Sequence, residues 1–250
     1  MISDKKIPLM EMFGPTIQGE GAVIGQQTYF MRFGLCDYRC KMCDSMFAVL
    51  PASVKANGRQ LTQHEILSEF LTFHKPNSTP WVTFSGGNPC IHDLGELVSA
   101  LGLSGFKIVV ETQGTLAPYW LHDVDIITVS PKGPGMGENT DVKVLSKFME
   151  TLRPVWHKVC FKIVVFDQRD LEFAKAIYEL FDGSGIPFYL SLGNPYPPDT
   201  TEPREWSVHM AELVGRYKML FEDIQTDPIL STMRFLPQWH TFVWGNEKGK

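Results

Sequence analysis

The chain lacks most of what would place it in an extreme class. No apolar run reaches the roughly 18 residues that a membrane-spanning helix needs. The amino terminus, MISDKKIPLMEMFG, has two lysines but no long apolar stretch and no small-residue cleavage site. No signal peptide is expected, and the chain is read as cytoplasmic with no membrane partner. Positive charge is not in excess: 23 Lys and Arg stand against 28 Asp and Glu, a formal net charge of −5. That balance gives no global field for nucleic acid. Internal repeats, low-complexity tracts and obvious linkers are missing too. The charged fraction of 20% and hydrophobic fraction of 44% are close to ordinary globular usage, which argues against a disordered chain. At 250 residues the chain suits one large domain or two small ones. A chain of that size buries roughly three quarters of its extended surface, so its core needs no staples.

Cysteine is scarce and unevenly spread. The five fall at Cys36, Cys40, Cys43, Cys90 and Cys160. An odd total argues against a simple disulfide framework, and clustered thiols in a cytosolic chain read as a metal or redox site. Cys160 sits inside the apolar run KVCFKIVVF and reads as a core residue. Cys90 ends SGGNPC and reads as a small buried residue at a helix start. The other three form CxxxCxxC in GLCDYRCKMCDS. One short loop can turn three such thiols toward a common centre, and thiolates suit zinc or an iron–sulfur cluster. Structural zinc wants four protein ligands. No fourth Cys or His lies at finger-like spacing, and the nearest later candidates, His64 and His74, fall on an expected helix. Three thiolates therefore point to a cluster with one iron left open, with zinc or three unrelated thiols as the alternatives.

Short apolar runs alternate with longer amphipathic ones. Strands are expected at Thr28–Phe33, Trp81–Phe84, Phe106–Val110, Asp125–Val129, Lys158–Phe166, Pro187–Ser191 and Met233–Leu236, with IPLMEMF as one more. Helices are expected at Thr62–Phe73, along the face Leu94, Leu97, Val98 and Leu101, and at Leu171–Phe181 and Trp206–Phe221. Thr62 and Glu65 of TQHE form a candidate capping box. Such alternation implies an α/β fold with a mainly parallel sheet. A partial or complete barrel leads, and an open doubly wound sheet is the alternative. The unusual residues all follow expected strands: the cysteine loop, SGGNP, ETQGT, SPKGPG and FDQ. Parallel α/β folds build their sites at that edge.

CxxxCxxC after a first strand resembles the radical S-adenosylmethionine superfamily, and SGGNP resembles its GGE-type loop. The resemblance implies a modified, incomplete (β/α) barrel. It further implies that Cys36, Cys40 and Cys43 hold a [4Fe–4S] cluster, whose open iron chelates S-adenosylmethionine. One electron then cleaves the sulfonium to a 5′-deoxyadenosyl radical that abstracts a substrate hydrogen. Two positions depart from the pattern: Met42 stands where an aromatic commonly precedes the third cysteine, and Asn88 where the loop is usually acidic. FGPTIQGEG at 13–21, CDS at 43–45, SGGNP, ETQGT, SPK and PQWHTFVWGN together resemble the 7-carboxy-7-deazaguanine synthase family over nearly the whole chain. That family resemblance implies a ring contraction of 6-carboxy-5,6,7,8-tetrahydropterin to 7-carboxy-7-deazaguanine plus ammonia, a step toward queuosine and related nucleosides. It also implies Mg²⁺, a homodimer, an electron donor such as flavodoxin, and one domain over 1–250 with an N-terminal substrate-binding segment.

The residues make physical sense in that role. Ile17, Gln18 and Gly19 supply backbone groups and an amide able to pair with a pterin edge, and Glu20 can accept from its N–H groups. Read without the resemblance, the same stretch is a turn. Arg32 supplies a fork matched to a carboxylate, or else a structural ion pair. Ser45 corresponds to a hydroxyl that binds Mg²⁺, which would pin the substrate carboxylate; its bland alternative is a turn cap. Gly87, Glu111, Ser130, Pro131 and Lys132 are candidate contacts to S-adenosylmethionine, with Phe166, Asp167 and Gln168 near its adenine end. Ser85, Gln238 and His240 are expected on the substrate side. No side chain stands out as a general base. Two other readings compete. A glycyl-radical activase leaves FGPTIQGEG and the CDS hydroxyl without a purpose. A zinc-stabilised nucleic-acid module needs a fourth ligand and a basic patch.

Overall fold

The computed structural model describes residues 5–196 and 206–244. Among the described residues nine strands form a single sheet: β1 (Ile7–Ile17), β2 (Gln27–Phe33), β3 (Arg59–Leu61), β4 (Trp81–Gly86), β5 (Lys107–Thr112), β6 (Ile126–Val129), β7 (Val159–Val165), β8 (Phe188–Leu192) and β9 (Arg234–Leu236). The helices are α1 (Met46–Val49), α2 (Pro51–Asn57), α3 (Gln63–Phe73), α4 (Gly95–Leu103), α5 (Val142–Thr151), α6 (Gln168–Leu180), α7 (Trp206–Thr226) and α8 (Trp239–Trp244). Strand order is β3-β1-β2-β4-β5-β6-β7-β8-β9. From β2 through β9 along that order the strands pair in parallel, while β1 runs antiparallel to both β2 and β3. The two edges do not meet, so the expected incomplete barrel is what the chain forms.

Period-two alternation divides each strand between two environments. Tyr29, Met31 and Phe33, Val82 and Phe84, Ile108 and Val110, and Phe161, Ile163 and Val165 join the core that the helices cover. The alternate residues on the other face are largely polar. Thr28 and Thr83 pair through their hydroxyls at 2.9 Å, and the Cys160 thiol meets the Thr128 hydroxyl at 3.5 Å. Higher on the same face stand Arg32, Ser85, Glu111 and Lys162. Arg32 and Ser85 are register partners on β2 and β4, which places them side by side.

The segment after β1 crosses this polar face. A Cβ on Gly21, whose φ is +74°, would lie 3.6 Å from the Thr128 side chain. The Gly19 carbonyl accepts from the Trp239 N–H at 3.0 Å, tying the segment to the far end of the chain. FGPTIQGEG is thus only partly a turn. β1 runs through Ile17 because Thr16 and Ile17 pair with Thr28 and Gln27, and the irregularity falls between Phe13 and Thr16, where Pro15 has no N–H to give. Further elements escape the periodicity reading: the short helices α1, α2 and α8, and also β3 and α5. β3 is three residues long, and α5 opens on valines; its evidence is Asp141, which accepts from the Lys143 N–H at 2.8 Å, and the buried Leu145, Phe148 and Met149. The buried places expected for Cys90 and Cys160 are borne out. Among the described residues no helix is long and apolar enough to cross a membrane.

The α3 capping box forms as the sequence indicates. Thr62 Oγ1 accepts from the Glu65 N–H at 3.2 Å, and the Glu65 carboxylate accepts from the Thr62 N–H at 2.7 Å. Thr62→Ala is expected to cost about 1 kcal/mol, read as a lowered urea midpoint with an unchanged slope.

Candidate active site

The loops at the strand ends converge on one cavity. Its wall includes Cys36, Cys40 and Cys43 from the β2 loop, Ser85 and Gly87 from β4, and Ser130 and Lys132 from the β6 loop. Ile17, Gln18, Gly19 and Glu20, Arg32, Ser45, Glu111, Phe166, Gln238 and His240 complete it. Three expected site residues are not on this wall. Pro131 is buried between Ser130 and Lys132, which do face the cavity. Asp167 caps α6, accepting from the Arg169 N–H at 2.9 Å, and Gln168 lies in the first turn and bonds to Glu172. The start of a helix uses their polar groups locally, so only Phe166 of that trio reaches the cavity. The end of PQWHTFVWGN, Gly245 and Asn246, lies outside the described residues.

The cysteine loop is clamped from behind. The Asp37 carboxylate accepts from Asn88 Nδ2 at 2.9 Å and from the Gln113 amide, which also approaches Cys36 Sγ at 3.7 Å. Asn88 is fully buried, and its Oδ1 accepts from the Thr112 hydroxyl at 3.0 Å and the Cys90 N–H at 3.2 Å. Its side chain braces two loops and is not on the cavity wall. The two glycines of SGG serve the same packing. A Cβ on Gly87 would sit 1.8 Å from the Leu35 carbonyl oxygen, and one on Gly86 2.3 Å from that of Phe33. The Gly87 and Asn88 N–H groups donate to those carbonyls, Phe33 at 2.9 Å and Leu35 at 2.8 Å. Gly87 therefore brings the cysteine loop close, besides lining the cavity.

The thiols are partly or fully buried, and burial raises their pKa values: Cys40 to about 11, Cys43 to about 12, and Cys36 upward as well. They become ligands only by releasing protons to a metal. Among the described residues no three His, Cys, Asp or Glu side chains converge on a point that would hold one ion. A mononuclear zinc site gathers four ligands to about 2.3 Å for sulfur. A cluster instead gives each thiolate its own iron. Three soft thiols from one loop, facing one cavity, fit the cluster. One polar atom in the wall has no protein partner: Ser85 Oγ is buried and makes no hydrogen bond.

A polar network fills the opposite side. Glu20 Oε1 lies 2.7 Å from Lys162 Nζ, and Glu20 Oε2 accepts from Gln238 Nε2 at 3.1 Å. Gln18 Nε2 donates to Glu111 Oε1 at 3.1 Å, and Gln18 Oε1 accepts from the Gly19 N–H at 2.8 Å. Glu111 thus joins the Gln18–Glu20 group. Burial works against the Glu20 charge, but Lys162, then His240, and the Gln238 amide outweigh it and hold the carboxyl near 2. Burial also works against the Lys162 charge, and Glu111 and Glu20 overcome it, lifting the ammonium above the ordinary lysine value. The Glu20 contribution to stability is present above the ordinary carboxyl pKa and fades as pH falls toward 2. The Lys162 contribution is present below the ordinary lysine value and fades only as pH rises past its raised pKa. Both charges therefore persist across the neutral range. Lys162 was not visible as a site residue in KVCFKIVVF; the available signal was one charge inside an otherwise apolar strand.

Arg32 sits between these regions. Its Nε donates to Glu11 at 3.0 Å and its Nη1 to Ser45 Oγ at 2.8 Å, while Ser45 Oγ donates to Asp44 Oδ1 at 2.9 Å. The structural ion pair and the cavity-facing fork thus coexist, since a guanidinium has five donors. His240 Nε2 is 3.9 Å from Asp44. Lys132 Nζ donates to Ser130 Oγ at 2.9 Å. Phe166 is held from both sides: its N–H donates to the buried Asp170 carboxylate at 2.8 Å, and its carbonyl accepts from Arg216 at 2.6 Å. Met42 lines the cavity in the place of the expected aromatic.

An open parallel barrel with a three-cysteine loop above its first parallel strand defines a radical S-adenosylmethionine type of protein. The fold agrees with the crystal structure of QueE from Escherichia coli, at a TM-score of 0.61 and 22% identity over 93% of this chain and 94% of that one. It agrees also with Streptococcus suis SuiB bound to S-adenosylmethionine, at a TM-score of 0.52 and 16% identity over 84% of this chain and 50% of that one. No protein-family model matches the chain. Among curated proteins, the 7-carboxy-7-deazaguanine synthase of Bacillus subtilis (strain 168) is 39% identical over 98% of this chain and 99% of its own length. That of Bacillus cereus is 37% identical over 98% and 99%. The chain belongs to the 7-carboxy-7-deazaguanine synthase family.

Replacing Asn88 with Ala removes four side-chain hydrogen bonds at once, to Asp37, Thr115, Thr112 and Cys90, and leaves Asp37 with fewer partners. A loss of about 1–3 kcal/mol is expected from stranding one such group, measured as unfolding free energy of the metal-free chain in denaturant.

Proposed function

We propose that this protein contracts 6-carboxy-5,6,7,8-tetrahydropterin to 7-carboxy-7-deazaguanine with loss of ammonia, on the way to queuosine-type nucleosides. The observation that carries the reading is full-length similarity to synthases of that name. The cavity supports it by bringing three loop thiols, an arginine fork and a carboxylate pair around one space. Cys36, Cys40 and Cys43 hold the [4Fe–4S] cluster. Bound together, the cluster and S-adenosylmethionine supply the carbon radical that removes a substrate hydrogen atom.

The protein's own groups bind and orient. Ser130 and Lys132, already joined at 2.9 Å, take polar parts of S-adenosylmethionine, and Gly87 permits close backbone approach beside them. Phe166, fixed by Asp170 and Arg216, forms the adenine side. The buried hydroxyl of Ser85, without a protein partner, turns to the substrate. Gln18, Gly19 and Glu20, with Ile17 before them, face the aminopyrimidinone edge, and Gln238 and His240 close that side. Arg32 takes the substrate carboxylate through donors that Glu11 and Ser45 leave over. Ser45 Oγ, with the Asp44 carboxylate 2.9 Å from it, would hold Mg²⁺, a hard cation that takes oxygen ligands. The segment before Arg32 acts as the substrate-binding part of one domain. By the same family resemblance the chain works in the cytoplasm as a homodimer, and a small donor such as flavodoxin reduces it.

The test is turnover after anaerobic cluster reconstitution, with reductant, S-adenosylmethionine, Mg²⁺ and the tetrahydropterin, followed by mass spectrometry. The deazaguanine product is expected, and Cys36→Ala is expected to lose it. An intact cluster that cleaves S-adenosylmethionine without forming this product would overturn the substrate assignment. Ser45→Ala is expected to lose Mg²⁺-dependent stimulation while keeping its iron content. Full Mg²⁺-dependent turnover in that variant would place the ion elsewhere.

A further inference from the structure

We propose that Lys162 is a positioning residue that holds Glu20 and Glu111 as a pair of anionic acceptors for the donor edge of an aminopyrimidinone ligand. The inference rests on the pterin reading above and adds to it a reason why the edge is recognised.

Lys162 stands on the inner face of β7, one of the least exposed charged groups described, at 5% relative exposure. Its Nζ lies 2.7 Å from Glu20 Oε1 on the crossing segment. Glu111, on the inner face of β5, adds to the electrostatic hold on the ammonium. Each carboxylate also takes one glutamine amide, Glu111 from Gln18 and Glu20 from Gln238. Glu20 touches this cation and Glu111 acts on it only through its charge, so this group of two carboxylates and one ammonium keeps one unit of negative charge. That excess suits a ligand edge rich in N–H donors and repels an anionic one. Without the cation, the buried Glu20 carboxyl is driven toward its protonated form, because burial disfavours its charge and Lys162 no longer offsets that. A protonated Glu20 is a poorer acceptor for a ring N–H or exocyclic amine.

The neighbouring charges do not replace this cation. From the cysteine loop comes Asp44, from α8 His240, from α7 the Tyr217 hydroxyl and from β7 itself the Cys160 thiol. Of these only His240 can carry positive charge, and its nearest carboxylate is Asp44 at 3.9 Å. A purely structural role for the Glu20–Lys162 pair, fastening the crossing segment to β7, predicts a stability change alone. The positioning role predicts a pH profile.

The test uses the cluster-loaded full chain with S-adenosylmethionine and, as probe, pterin-6-carboxylate, whose aromatic ring cannot react. Equilibrium dialysis from about pH 5 to 7.5 avoids the probe's own titration outside that range. Wild type is expected to bind with an affinity that changes less than about threefold, because both charges persist there. Lys162→Met is expected to bind more weakly, and to lose about a further tenfold for each pH unit below the raised Glu20 pKa. Lys162→Arg is expected to restore the flat profile. Lys162→Met with wild-type affinity and a flat profile overturns the inference and leaves the pterin reading intact. Wild type that binds no probe overturns the pterin reading and the inference with it. Should Lys162→Met fail to fold, the wild-type profile still decides: an affinity falling more than about threefold toward pH 5 means Glu20 is not held ionised.

Discussion

Glu20 and Lys162 meet 2.7 Å apart on the inner face of the sheet, and the whole cavity is arranged around that contact. The barrel is open, so its inner face has no second sheet edge to close on. The chain covers it with the segment that follows β1, and that segment is anchored at several points. Gly21 lies against Thr128, the Gly19 carbonyl takes the Trp239 N–H, and Glu20 reaches Lys162. A buried pair of this kind is a poor source of net stability, since desolvation costs several kcal/mol for each ion. Its value is location. It fixes where the amino-terminal and carboxy-terminal ends of the chain meet the middle of the sheet.

Across the cavity the logic is different, because there the backbone sets the positions. The cysteine loop is held by Leu35 and Phe33 carbonyls bonded to the Gly87 and Asn88 N–H groups, and by Asp37 bonded to Asn88 and Gln113. These contacts leave no room for a side chain at Gly86 or Gly87. The same glycine pair that a ligand could approach is first a requirement for bringing two strand-end loops together. Asn88 belongs to this brace. An acidic residue there would lack the amide N–H groups that now reach Asp37, and would set two carboxylates against each other in a buried place. The departure at this position is thus matched by Asp37 and Thr112.

Much of this was legible in the sequence. Strands rich in Val, Ile and Phe fell where they were expected, since a parallel strand covered by helices shows its burial as composition. The loops with unusual residues fell at the carboxyl ends of those strands, and CxxxCxxC marked the thiols. What was not legible has physical causes. Lys162 is one charge in an apolar run, and only the pleat says which face it takes. Glu11 pairs with Arg32 across β1 and β2, a contact set by antiparallel register. Asp167 and Gln168 looked like cavity residues because they follow a strand, but the first turn of α6 uses their polar groups locally.

The inner face also accounts for which polar atoms are left unpaired. Thr28 with Thr83 and Cys160 with Thr128 satisfy one another in the lower barrel. Higher up, Arg32, Glu111 and Lys162 each have protein partners at hydrogen-bond distance or strong charges nearby. Among the described residues two buried hydroxyls on this face keep no partner, those of Ser191 on β8 and of Ser85, and of the two it is Ser85 that lines the cavity, beside Arg32 in register. An unpaired buried hydroxyl costs about 1–3 kcal/mol. In a wall otherwise so fully paired, that cost falls where the sulfur loop, the arginine fork and the carboxylate pair all face. A ligand that bonds to Ser85 recovers what folding leaves unsatisfied there, so part of the cost carried by this wall is returned on binding.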